Sequence, residues 1–326
     1  MKRWALAAVI PLISFAGFAG AAQVQAPVDR PGPDGNPTAT IRVESRFVNV
    51  ALNVVDEHGS PVSGLTQDDF EVAEDGAPQK IAVFEKESST PLEIVLALDT
   101  SGSVLTDEKL EQSAAKSFVQ SLVRPQDLID LMCFADGVYE LVGFTNDTHK
   151  IESGLGRLVR GDATALYDAV YLASQRLAEA PARVGKGDAA AAPRRVVVVI
   201  SDGENTTRHG TYDAALEQAE RAGAMVYSLI VVPIVADAGR NTGGEHALIQ
   251  MADDTGGKYY YVVDKHDLAP AFAHVSDDLR TQYTVGYYAP QTGKDPSGLR
   301  HIHLQLKDPA LRAKYTLRYR TAYYGR

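Results

Sequence analysis

The stretch Asp99-Thr100-Ser101-Gly102-Ser103 sets one carboxylate and two hydroxyls at alternate positions. In an extended loop, side chains two residues apart turn the same way, so three oxygens can converge on one point. Further along, Thr164 offers a hydroxyl just before Ala165-Leu166-Tyr167, and Asp202 offers a second carboxylate directly after the Val-rich run 195–200. A set of oxygen donors with so little charge suits a hard cation. Mg²⁺ is the first choice, because it keeps several of its waters, with Mn²⁺ or Ca²⁺ as alternatives. Taken singly, each residue has a plainer reading. Asp and Ser are favoured at helix N-caps, Thr164 can cap its own helix, and Asp202-Gly203 can be an ordinary turn. Their joint placement is what points to a cation.

That placement depends on the elements between them. Residues 93–98 and 195–200 are nearly continuous apolar runs, as expected of strands covered on both faces. Further strands are expected at 128–134, 138–144, 225–231 and 258–262. Helical periodicity runs over 105–123, 148–158, 164–180, 212–222, 247–255 and 268–279. The alternation predicts an α/β fold with a doubly wound, mainly parallel sheet. In such sheets ligands bind beyond the carboxyl ends of the strands, and Asp99 directly follows one of these ends. Before and after this region the pattern is β only, with strands expected at 46–55, 70–73 and 79–84, and again at 283–288, 301–306 and 315–323. Each flank alone is marginal, so the two are expected to pack together as a small accessory β domain.

With its order along the chain and its strand contexts, this constellation resembles the metal-ion-dependent adhesion site of von Willebrand factor type A domains. The matching residues are Asp99-x-Ser101-x-Ser103, Thr164 within Ala163-Thr164-Ala165-Leu166-Tyr167-Asp168-Ala169, and Asp202 within Ile200-Ser201-Asp202-Gly203. The likeness spans roughly residues 92–279, and with its flanking β segments the chain is similar to bacterial VWFA-related proteins typical of acidobacteria. The resemblance implies that Ser101, Ser103 and Thr164 are direct or near-direct hydroxyl ligands, while Asp99 and Asp202 act largely through bound water. It also implies a cation left electrophilic enough to accept an Asp or Glu carboxylate from a protein partner. Gly161-Asp162-Ala163 stands before Thr164 where relatives often carry Gly-Gly. Ala163 restricts the backbone more than glycine would, and Asp162 adds negative charge.

The rest of the sequence narrows the setting. The chain has 326 residues, and 42 acidic against 32 basic ones give a net charge of −10, which argues against a nucleic-acid coat. A lone cysteine, Cys133, excludes an intramolecular disulfide framework and reads as core rather than as a reactive thiol. Lys2-Arg3, the apolar run 4–20 and the small residues that follow read as a cleaved export signal, 1–22, with an uncleaved anchor as the alternative. No Cys follows that run to carry a lipid, and no later segment is long and apolar enough to cross a membrane. The expected organisation is a Pro-rich linker at 23–44, a β segment at 45–90, the α/β domain at 91–280 and a second β segment at 281–326.

The leading expectation is therefore a non-enzymatic, exported, metal-dependent binding module, periplasmic or secreted. A structural subunit of a cell-envelope assembly is the alternative. A metal-dependent hydrolase, with Asp202 or Glu204 as base, is the weaker third reading. No Ser/His/Asp order, paired general acid and base, or phosphate-cradling glycine loop accompanies the motif. His301 and His303 share one side of a strand without a further clustered ligand. The tyrosines of 258–261 and of the tail suit strands as well as a contact surface. Asp253-Asp254 and Asp277-Asp278 read as solvated helix faces.

Overall fold

The computed structural model describes residues 45–86, 90–102, 108–180, 193–232, 242–290 and 298–325. The expected leader, the Pro-rich linker and Ser103 lie outside the described residues.

The α/β part is a six-stranded sheet in the order β10-β9-β8-β5-β6-β7. Its strands are β5 (Leu92–Asp99), β6 (Leu128–Phe134), β7 (Val138–Thr145), β8 (Arg194–Ser201), β9 (Ala224–Val231) and β10 (Tyr259–Val262). All neighbours run parallel except β7, which pairs antiparallel with β6 at the edge. Every residue of β5 and β6 is buried, which is why these strands carry no polar alternation. The even-numbered residues Ile94, Leu96 and Leu98 of β5 pack with α1 (Glu108–Leu122), α2 (Thr148–Leu155) and α6 (Leu268–Arg280). The odd-numbered Val95 and Ala97 pack with α3 (Leu166–Glu179), α4 (Tyr212–Ala222) and α5 (Thr242–Thr255). The sheet is thus doubly wound and mainly parallel.

Strands from the two ends of the chain form two further sheets. One has the order β13-β1-β11-β4, made of β1 (Ser45–Val55), β4 (Ile81–Glu85), β11 (Tyr283–Pro290) and β13 (Thr316–Tyr319). The other has the order β14-β12-β2-β3, made of β2 (Phe70–Glu74), β3 (Ala77–Gln79), β12 (Leu299–Leu306) and β14 (Ala322–Tyr324). Alternate residues Val48, Val50, Leu52 and Val54 of the first sheet share a core with Phe70, Val72, Ile302, Leu304 and Leu306 of the second. The two sheets therefore bury one face each against the other, as in a sandwich.

The structure departs from the sequence reading in a few places. The stretch expected as one strand at 315–323 is two, β13 pairing with β1 and β14 pairing with β12. The chain switches sheets at Arg320-Thr321, where Thr321 accepts a hydrogen bond from the Ile302 amide at 2.7 Å. The strand expected at 79–84 is likewise divided, with Pro78 on β3 at a sheet edge, where a missing amide costs no ladder bond. A short helix, α7 (Pro309–Lys314), escaped the sequence reading although Asp308 caps it and proline opens it. Asp278 is no solvated residue. It is 1% exposed, accepts from the Tyr260 hydroxyl and lies 3.4 Å from the Lys258 ammonium. An α6 position facing the sheet cannot stay in water, and these two donors replace it.

Candidate metal centre

The loop leaving β5 is pinned before it reaches Ser101. The Thr100 amide donates to the Phe134 carbonyl at 2.8 Å, and the Thr100 hydroxyl bridges the carbonyls of Phe134 and Val159. Ser101 then pairs with Gly161 in an isolated parallel bridge, which sets the first motif beside the segment leading to Thr164. That approach needs glycine. A Cβ on Gly161 would lie 2.5 Å from Asp136 Oδ2 and 2.9 Å from the Ala135 Cβ. Asp136, at the turn after β6, accepts the amides of Asp162 and Ala163 at 3.2 and 2.7 Å and so shapes the loop before Thr164.

The third segment closes on the second. The Thr164 amide donates to the Thr206 hydroxyl at 2.7 Å, and the Thr206 amide returns a bond to the Thr164 carbonyl at 3.0 Å. Asn205 Oδ1 accepts from the Tyr167 amide in the first turn of α3 at 3.2 Å. The Ser201 hydroxyl, at the end of β8, donates to Asp99 Oδ2 at 2.6 Å and accepts from the Gly203 amide at 3.1 Å. Gly203 has φ +85°, in the left-handed region, and a Cβ there would meet the Gly244 backbone at 2.5 Å. Asp202 Oδ1 accepts from the Glu204 amide at 3.1 Å.

Asp99, Ser101, Thr164 and Asp202 thus sit on three segments that bond to one another beyond the carboxyl ends of the central strands. Each is at most 8% exposed. Asp136, Ser201, Asn205 and Thr206 hold those segments together, and the sequence reading assigned them no role. Asp136 follows a strand end and Ser201 precedes Asp202, and position alone was the signal available.

The electrostatics favour a cation. Burial pushes the Asp99 carboxyl up to about 6, against hydrogen bonds from the Ser101 hydroxyl, the Ser201 hydroxyl and the Ser101 amide, and the charge of Asp202 pushes it further up. No Lys or Arg among the described residues comes within ion-pair distance of Asp99 or Asp202. A buried carboxylate beside another, with hydroxyls around it and no positive partner, is a donor set that a hard divalent ion fits. Among the described residues no three His, Cys, Asp or Glu side chains gather as metal ligands, so any ion here relies on hydroxyls as well as carboxylates. His301 and His303 are exposed on β12. Cys133 is buried, its thiol raised by desolvation.

Residues 94–204 match the family model of the von Willebrand factor type A domain, a span running from β5 to just past β8. Solved structures of similar shape include an aerotolerance-related membrane protein from Bacteroides fragilis carrying multiple mutations to serine. It is 23% identical, covers 58% of this chain and 98% of its own, and has a TM-score of 0.42. Proximal thread matrix protein 1 from the mussel byssus, with a zinc-occupied MIDAS motif, is 16% identical over 65% of this chain and 50% of its own, with a TM-score of 0.45. A von Willebrand factor type A protein from Catenulispora acidiphila is 12% identical over 85% and 72%, with a TM-score of 0.47. No curated protein matches the chain.

Proposed function

Because residues 94–204 match the family model of the von Willebrand factor type A domain, we propose that the chain is an exported protein-binding module that grips an acidic side chain of its partner through a divalent cation. Domains of this type are typically interaction modules rather than enzymes. The proposed ligands are Ser101, Ser103 and Thr164 through their hydroxyls, with Asp99 and Asp202 acting largely through water. When bound, Mg²⁺, or Mn²⁺ or Ca²⁺ in its place, supplies an electrophilic position that a partner Asp or Glu carboxylate can fill. The chain's own residues do the positioning. Ser201 orients Asp99, Asp136 shapes the approach to Thr164, and Thr206 ties Thr164 to the Asp202 loop.

The observation that carries this reading is the buried carboxylate of Asp99, which lies beside Asp202 with no cationic side chain among the described residues to balance it. The acidic net charge accords with a protein partner rather than nucleic acid. No helix of the described residues is long and apolar enough to cross a membrane. Export rests on the Lys2-Arg3 leader.

The test is a Mg²⁺ or Mn²⁺ titration read by thermal unfolding, together with affinity capture from an envelope extract with and without chelator. Wild-type protein should gain stability and capture its partner only with metal, and Asp99→Ala should do neither. Equal behaviour of the two proteins would remove the site. Chelator-insensitive capture would favour a structural role.

A further inference from the structure

At the opposite end of the parallel sheet from the candidate metal centre, a half-open cleft of about 210 Å³ lies between the α/β part and the sandwich. Arg194 and Arg195, the first residues of β8, form one wall. Asn49 of β1, Thr284 of β11 and Arg320, at the point where the chain switches sheets, form the other.

Three arginines line this one space, and among the described residues only Arg195 has a carboxylate within ion-pair distance, Glu93 at 3.7 Å. Arg194 is 7% exposed and donates only to neutral acceptors, the Leu279 carbonyl at 2.8 Å and Gln282 Oε1 at 2.6 Å. Arg320 donates to the Asn49 carbonyl at 2.6 Å and lies over the Tyr323 ring. Neither has a carboxylate within ion-pair distance among the described residues. Asp127 and Glu85 act on Arg194 only from farther away. Burial pushes Arg194 down to about 10. Burial lowers Arg320 too, and the charges of Arg46 and Arg195 push it the same way.

Buried charges are ordinarily paired, because desolvation without a counter-charge is costly. Here Arg194, which is buried, and Arg320, which is partly buried, have no carboxylate within ion-pair distance among the described residues. Beside them Arg194 Nε and Thr284 Oγ1 are buried polar atoms without a hydrogen-bond partner among the described residues, and so is Asn49 Oδ1. The first two can donate to an anion, and the third can accept from a protonated oxygen or a bridging water. Guanidinium forks match the oxygens of oxyanions. The cleft is smaller than the roughly 300–1,000 Å³ usual for drug-sized ligands.

We infer that this seam is a binding site for a small dianionic oxyanion of the phosphate type, held by Arg194, Arg195, Arg320 and Thr284. The anion ties β8 of the α/β part to β11 and the Arg320 crossover of the sandwich. It thereby stabilises the junction between the two parts independently of any metal.

The test uses the full chain without divalent metal, titrated with inorganic phosphate and with glycerol phosphate against chloride at matched ionic strength. Calorimetric binding and thermal unfolding are the readouts, and the two phosphates separate a free from an esterified group. Saturable binding to either, with a melting rise beyond that in chloride, is expected. Arg320→Gln should weaken it about tenfold and the near-isosteric Thr284→Val about threefold. If Arg320→Gln fails to fold, Thr284→Val decides. Wild-type protein responding no more to phosphate than to chloride would overturn the proposal, and so would unchanged affinity in the folded variants.

Discussion

The Ser201 hydroxyl at the end of β8 donates to the buried carboxylate of Asp99 at the end of β5, across 2.6 Å and 102 positions of sequence. The adjacent parallel strands bring the two ends together, with Leu98 opposite Ile200 in the register. This bond ties two of the three segments of the candidate metal centre.

Ser201→Ala should remove that donor and leave a buried carboxylate oxygen without it. A loss of about 1–3 kcal/mol in urea unfolding is expected. Because Ser201 orients a proposed ligand rather than touching the ion, Mg²⁺ affinity should fall by roughly 10–100-fold. Unchanged Mg²⁺ affinity would take Ser201 out of the site.

Gly161→Ala should force the segment before Thr164 away from Ser101, since the added carbon would overlap Asp136 and Ala135. Overpacking of this kind costs about 1–3 kcal/mol. The Mg²⁺-induced rise in melting temperature should shrink with it. A crystal structure with the Ser101–Gly161 bridge intact would show that the loop absorbs the methyl group.

Asp130, on β6, lies 3.7 Å from the Arg176 guanidinium of α3. Burial pushes its carboxyl up to about 7, the charge of Glu140 adds to this, and Arg176 opposes it. The group binds its proton more tightly folded than unfolded. Its contribution to stability is therefore complete below about 4 and is lost as pH rises through about 7, an effect of up to about 4 kcal/mol. Asp130→Asn should flatten the pH dependence of unfolding between pH 4 and 8 and raise stability at pH 8. An unchanged slope would refute the assignment.

Glu74, 3% exposed on β2, accepts hydrogen bonds from Tyr287 of β11 at 2.9 Å and Tyr323 of β14 at 2.7 Å. One carboxylate thereby links the two sheets of the sandwich. Glu74→Ala strands both hydroxyls and also removes the carboxylate 3.8 Å from Arg300, and should cost about 3–5 kcal/mol. Hydrogen exchange should rise in β11, β12 and β14 before it rises in β5 or β8.

The α/β part was legible because its signal is local. The runs 94–98 and 196–200 are apolar throughout, as strands buried on both faces read. The spacing of Asp99, Ser101 and Ser103 is also local, as is the position of Asp202 at a strand end. The divisions of the flanking strands were not legible. A strand that leaves one sheet for another keeps its alternation, and nothing in Tyr319-Arg320-Thr321 announces the switch.

The sequence by itself determined which residues alternate, which runs must be covered on both faces, and which oxygen-bearing side chains stand where strands end. Tertiary structure alone decided which of those strand ends became neighbours, that Ser201 and Asp136 hold the loops, and that Arg194 and Arg320 line one cleft with no carboxylate in ion-pair distance of either among the described residues. The reason is physical. Hydrophobic periodicity is written into each segment, whereas desolvation and charge pairing depend on what distant segments bring to the same place.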